Sequence, residues 1–211
     1  MPPFPPRNGR FVTLEGPEGA GKTVVARRLV PALEERGASV LLTREPGGTR
    51  LGERLREVLL ADDGSPISPR ADALLFNAAR AQLVGEVIGP ALDAGQLVIC
   101  ARFADSTLAY QGYGAGVPLA ELRALADVAT GGLVPDLTVL LDVAPEVGLR
   151  RKAEADRTRF EATFDLDFHR RVRAGFLELA DAEPDRFVVV DSTRPIEAVF
   201  ADVLAAVLAI P

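Results

Sequence analysis

Cysteine occurs once in the 211 residues, at Cys100, so no disulfide can close within the chain. No charged-then-apolar leader opens it, and a reducing cytoplasm is the expected compartment. Long apolar runs are missing as well: Leu97-Val98-Ile99-Cys100-Ala101 falls far short of the ~20 residues that a membrane-spanning helix needs. Positive charge is in deficit, with 24 Lys and Arg against 30 Asp and Glu and a net charge of −6. A general nucleic-acid binder needs a basic face for the phosphate backbone, so neither nucleic acid nor membrane is expected as a partner. A small molecule is. Histidine also occurs once, at His169 within Phe168-His169-Arg170-Arg171, and it reads as a helix-surface residue rather than a general base or metal ligand. No Asn-Lys-x-Asp segment is present to read guanine, which counts against a GTP-dependent switch.

What is present suffices for one well-buried core, at 48% hydrophobic residues. The proline-rich start, Met1-Pro2-Pro3-Phe4-Pro5-Pro6, suits a loose tail over residues 1–9, leaving 10–211 as a single domain. Short β-rich runs at Arg10–Glu15, Ser39–Thr43, Gln96–Ala101, Leu137–Val143 and Arg186–Asp191 alternate with stretches of helical periodicity. That alternation predicts an α/β fold, a five-stranded parallel sheet covered on both faces by helices. Val25, Leu29 and Leu33 line one face of a first helix that stops at Gly37, with Pro31 placed to bend it or to cost it a backbone hydrogen bond. One long helical stretch is expected from Arg70 to Ala94 and another from Ile196 to Leu208, whose apolar stripe could close the core or meet a second subunit. Ligands of such sheets bind beyond the carboxyl ends of the strands.

The residues just after the first β-run are Gly16-Pro17-Glu18-Gly19-Ala20-Gly21-Lys22-Thr23, a complete G-x-x-x-x-G-K-T between a strand and a helix. Glycines let the backbone turn so that its N–H groups point inward, and the following helix N-terminus adds partial positive charge where phosphate oxygens would sit. Lys22 would reach the outer phosphates. The Thr23 hydroxyl suits Mg²⁺, a hard ion that takes neutral oxygens beside phosphate and water.

After the second β-run come Arg44-Glu45-Pro46-Gly47-Gly48 and Arg56, then Leu75-Phe76 with Arg80, then Arg102-Phe103 and Asp105 through Gly114, then Pro135-Asp136-Leu137-Thr138. These ordered motifs resemble bacterial thymidylate kinases from about residue 10 onward. The resemblance implies a P-loop kinase fold, ATP and Mg²⁺ as cofactors, dTMP as acceptor and a homodimer. By residue, it places thymine on Phe76 and Arg80, the acceptor phosphate on Arg56 and Arg102, and the sugar 3′-hydroxyl on Glu18. Glu45, Thr107, Tyr110 and Gln111 fall in the nucleoside pocket. The residues alone also fit a core phenylalanine and a surface arginine at Phe76 and Arg80, and loop-stabilising roles for Thr107 and Tyr110. The phosphate loop lacks the arginine that some relatives carry there. The other type brings one from a lid, here about residues 150–160, where Arg151, Arg157 and Arg159 are the candidates. The Asp191-Ser192-Thr193-Arg194-Pro195 turn lies where relatives contact adenine. Asp142 reads either as a Walker-B-type acid or as a structural hydrogen bonder.

One departure stands out. The family has Asp-Arg at the end of the third strand, and this chain has Ala101-Arg102. Loss of a charge from a site where charge balance governs rate predicts slower turnover, and at the extreme a homologue that binds nucleotides with impaired catalysis.

Overall fold

The computed structural model describes residues 8–61, 66–151, 158–160 and 164–210. Five parallel strands, β1 (Arg10–Glu15), β2 (Val40–Arg44), β3 (Leu97–Ala101), β4 (Leu137–Asp142) and β5 (Phe187–Asp191), form one sheet in the order β2-β3-β1-β4-β5. Every strand start lies within one residue of its expected position. β1 is central and almost wholly buried, as a strand covered on both faces must be. Of the tail expected over residues 1–9, the first seven lie outside the described residues. Gly9 is held, its N–H donating to Leu92 O at 3.0 Å.

The described residues form nine α-helices, α1 (Lys22–Glu34), α2 (Arg50–Leu60), α3 (Pro69–Leu83), α4 (Gly89–Asp93), α5 (Ala104–Thr107), α6 (Leu119–Thr130), α7 (Pro145–Arg151), α8 (Leu166–Ala182) and α9 (Ile196–Leu208), with π-helical segments at Val84–Ile88 and Leu108–Gly114. The alternation of side chains along the strands sorts the core into two faces. Val12, Leu14 and Ile99 pack against Val25 and Leu29 of α1 and Val199 and Val203 of α9. Phe11, Val98 and Cys100 point the other way, onto Leu83, Ile88 and Leu92. The Ile196–Leu208 stripe thus closes the core. A third cluster joins Phe168, Val172 and Phe176 of α8 to Tyr110, Leu122 and Leu140.

Local chemistry sets several boundaries. The hydroxyl of Thr49 accepts from Gly52 N at the start of α2, and Asp165 accepts from Phe168 N at 2.8 Å to start α8. The expected Arg70–Ala94 helix is two α-helices joined by a π-helical turn at Val84–Ile88. Gly85 lies within that turn and Gly89 directly after it, and glycine favours a regular helix less than other residues do. Pro31 lies inside α1 and its carbonyl still accepts from Glu35 N at 3.0 Å. His169 corrects the surface reading: it is 3% exposed and its Nε2 meets Phe160 O at 3.2 Å. Its surface face is claimed by the chain segment at 158–160, which periodicity could not reveal. Among the described residues no helix is long and apolar enough to cross a membrane.

Candidate active site

The carboxyl ends of β1 and β3 lie side by side, Leu14 opposite Ala101. Two loops therefore leave the sheet together, and each carries charge. After β1 the backbone of Gly16 (φ 139°) and Gly19 (φ 69°) takes conformations that side chains resist. Space is as restrictive as torsion: a Cβ on Gly19 would sit 1.9 Å from Gly148 O of α7. Lys22, the first residue of α1, turns its Nζ back to Gly16 O and Pro17 O, both at 2.8 Å. Thr23 next to it is exposed at the cavity described below.

After β3, Arg102 has φ 70°, an unusual value for a residue with a side chain. The turn aims its guanidinium across the gap between loops. Nη2 donates to Glu18 Oε1 at 2.8 Å and to Tyr110 Oη at 3.2 Å, and Nη1 donates to Ser106 Oγ at 3.0 Å. Tyr110 Oη also donates to Glu18 at 3.0 Å. Burial alone would lower the Arg102 pKa, and Tyr110, Glu18 and Glu15 together outweigh it and keep the guanidinium charged. Glu15 holds this turn from behind, accepting from Phe103 N at 2.7 Å and from the Ser106 hydroxyl at 2.6 Å. Burial, then the neighbouring Asp105, pushes its carboxyl up to about 7. Arg56 is half-buried with Nη1 on Pro46 O at 2.9 Å, and burial followed by the charge of Arg44 lowers its pKa. Such crowding of positive groups without enough carboxylates to neutralise them favours an anion between them.

These groups open onto a cavity of about 950 Å³ that also reaches Phe76, Arg80 and Gln111. Arg80 is not on the surface, being 1% exposed. Its Nε and Nη2 clasp Glu45 Oε2 at 3.0 and 2.8 Å, its Nη1 donates to Asn77 Oδ1, and its Nη2 also meets Thr107 Oγ1 at 3.0 Å. Glu45 spends its carboxylate on this arginine. Phe76 lines the cavity with Phe160, their ring centroids 6.3 Å apart. At the opposite end, Arg151 Nη1 donates to Ser192 O at 2.9 Å, tying α7 to the turn after β5.

The structure thus gathers the phosphate loop, Glu45, Arg56, Phe76, Arg80, Ala101, Arg102, Thr107, Tyr110 and Gln111 around one space. The lid arginines divide. Arg157 lies outside the described residues, Arg151 is engaged at the turn after β5, and Arg159 is buried against Asp72 and Leu59 O, away from the phosphate loop. A buried carboxylate drew Arg159 inward, and its partner is 87 residues away in sequence. Asp142 is taken bidentately by Arg173 at 2.7 Å for each contact, which is the structural alternative. Arg44, Ser106 and Phe160 also line the cavity, outside the candidates that the sequence names, and Glu15 supports the Arg102 turn besides ending β1. Arg44 opens the Arg-Glu-Pro-Gly-Gly motif and could have been noticed there. Ser106 lies inside the Asp105-to-Gly114 motif, and nothing local marks Phe160 or Glu15.

Among the described residues no three or more His, Cys, Asp or Glu come together to hold a metal ion. A single exposed hydroxyl at Thr23 fits Mg²⁺, which keeps waters and takes most remaining ligands from phosphates.

The model of the thymidylate kinase family matches residues 14–203. Thymidylate kinase from Deinococcus radiodurans is 54% identical over 199 residues, covering 94% of this chain and 96% of that one. The chain belongs to the thymidylate kinase family. The thymidylate kinase of Roseiflexus sp. is 48% identical over 200 residues, covering 89% of this chain and 88% of its own. The crystal structure of thymidylate kinase from Ehrlichia chaffeensis superposes with a TM-score of 0.77 at 33% identity, covering 94% of this chain and 98% of that chain. The thymidylate kinase fold therefore carries the cavity.

Proposed function

We propose that the chain transfers the γ-phosphoryl group of ATP to dTMP, giving dTDP and ADP. One observation carries this reading: a single cavity joins the phosphate loop and the Arg56–Arg102 cluster to an end bounded by Phe76 and Arg80. A thymidylate kinase needs both ends in one space, because its two phosphates must meet in line.

The residues have separable tasks. Lys22 now satisfies loop carbonyls, and a bound nucleotide would exchange them for β- and γ-phosphate oxygens. Backbone N–H groups of Gly19, Gly21 and Lys22 would cradle the same phosphates at the start of α1. Arg102 and Arg56 offset repulsion between the two phosphate-bearing substrates, and the guanidinium fork of Arg102 supplies aim as well as charge. Glu18, already placed by Arg102 and Tyr110, would accept the sugar hydroxyl. The face of Phe76 sorts a planar base. Magnesium, held by Thr23 and phosphate oxygens, would neutralise charge developing on the transferred group. Arg151 and the 191–195 turn bound the adenine end. Arg157 is the remaining lid candidate for the transition state. We further infer a homodimer and a cytoplasmic location.

The impaired-binder alternative gains no support, since the relatives above are all named thymidylate kinases over most of their length. ADP formation from ATP and Mg²⁺ with dTMP, dUMP, dCMP and dGMP offered separately tests the proposal. Turnover that depends on dTMP, without an Asp restored at position 101, is expected. Turnover independent of any nucleoside monophosphate, or fastest with dGMP, would overturn it.

A further inference from the structure

Gln111 lines the cavity, and the two ends of its amide have different surroundings. Its Nε2 donates to Asp72 Oδ2 at 2.8 Å in a buried contact. An ionised carboxylate only accepts hydrogen bonds, so it dictates that the amide nitrogen faces α3. The second oxygen of Asp72 takes Nη2 of Arg159, whose Nε donates to Leu59 O. Burial raises the Asp72 pKa and the Arg159 guanidinium opposes that rise, while the paired contacts prevent the carboxylate from turning. Gln111 Oε1 has no hydrogen bond among the described residues, and Ser192 Oγ is the only fully buried side-chain polar atom there without a partner. Oε1 therefore opens onto the cavity as an acceptor. Beside it, Arg80 offers the opposite polarity: its Nε and Nη2 hydrogens are committed to Glu45, Phe103 O and Thr107, and Nη1 gives one hydrogen to Asn77. One Nη1 hydrogen is left over.

We propose that Asp72, clamped by Arg159, is the residue that sets nucleobase polarity, locking Gln111 as an acceptor so that the pocket takes a pyrimidine imide and refuses cytosine. Thymine and uracil present an N3–H donor beside an O4 acceptor, which complement Gln111 Oε1 and Arg80 N–H. Cytosine presents the reverse, an N3 acceptor beside an N4 donor. To receive it, Gln111 would have to turn its oxygen toward the Asp72 carboxylate, setting two buried acceptors against each other. Sites that leave a buried polar group unmatched discriminate far more strongly than sites that sense a methyl group. Asp72 touches no substrate in this scheme and acts through Gln111, as a positioning residue. The same carboxylate anchors the 158–160 segment, so docking of that segment and reading of the base share one charge.

The inference rests on the thymidylate reading above. Its test compares kcat/KM for dTMP, dUMP and dCMP in the unmodified protein, in Asp72→Asn, and in Asp72→Asn combined with Arg159→Met, where no buried guanidinium is orphaned. An asparagine can donate as well as accept, so Gln111 becomes free to turn. The dTMP-to-dCMP ratio is expected to fall at least tenfold while the dTMP-to-dUMP ratio stays unchanged, because uracil shares the imide edge. A folded variant in which all three substrates decline together would overturn the proposal, as would an unchanged dCMP ratio. Failure of both variants to fold would assign Asp72 to the fold and overturn it too. An unmodified protein with no dTMP response breaks the thymidylate reading itself, whereas dTMP preference with an unmoved ratio breaks only this inference.

Discussion

Replacing Arg80 by alanine should unsettle the fold more than any other single change at the site. The guanidinium is 1% exposed and its partner Glu45 is 5% exposed, so neither charge has water to fall back on. Burial already raises the Glu45 pKa from 4.5, with Arg80 the opposing influence. Without Arg80 the carboxylate is left buried and unpaired, a change that costs roughly 3–5 kcal/mol, and Asn77, Phe103 O and Thr107 lose a donor besides. For a chain of this size each kcal/mol lowers Tm by about 2–4 °C, so a drop of roughly 6–20 °C is expected. The pH dependence gives the sharper check. Glu45 in the variant has a folded-state pKa further above its unfolded value, so the cost is absent below the unfolded value and grows as pH rises through the folded one. Thermal unfolding followed by circular dichroism at about pH 5 and about pH 8 should therefore show a narrower gap from the unmodified protein at the lower pH, where only the lost donors and packing remain, and a wider one at the higher. Adding Glu45→Gln to Arg80→Ala should recover part of the loss at high pH. A gap that does not change with pH would refute the assignment of the cost to a stranded carboxylate.

Two other outcomes are expected. Glu15 carries a folded-state pKa of about 7 against an ordinary 4.5, so the native state holds an extra proton between them and its stabilising effect is lost as pH rises through about 7. That amounts to about 3 kcal/mol across the window, and the urea midpoint should fall over it in the unmodified protein and stay flatter in Glu15→Gln. Gly148→Ala would place a Cβ 2.1 Å from Glu18 O, so the phosphate loop must shift. The KM for ATP should rise at least tenfold, and an unchanged KM would mean that the loop is not braced by α7.

Much of the fold was legible because its signals are local. The β-rich runs start within a residue of the strands, since burial on both faces writes near-continuous apolar runs into a parallel sheet. The phosphate loop was equally plain, because its glycines answer to torsions and contacts within a few residues. The stretch from Arg70 to Ala94 was less so: helical periodicity ran on through a π-helical turn at Val84–Ile88, whose one-residue offset hardly disturbs an apolar pattern. His169 and Arg159 went astray for a different reason. Each was read by its own neighbours in sequence, and each is buried by a partner that arrives from elsewhere in the chain.

By itself the sequence determined the class of sheet and the glycine-rich loop after β1, because spacing rules for glycine, strand and helix act over short distances, and the resemblance to thymidylate kinases named the candidates that line the cavity. Only the tertiary structure decided who pairs with whom. Arg80 finds Glu45 35 residues away, Arg102 finds Glu18 across 84, and Arg159 finds Asp72 across 87. Those partners are chosen where crossovers bring strand ends together, and in a dry interior a charge must take whichever opposite charge the topology delivers.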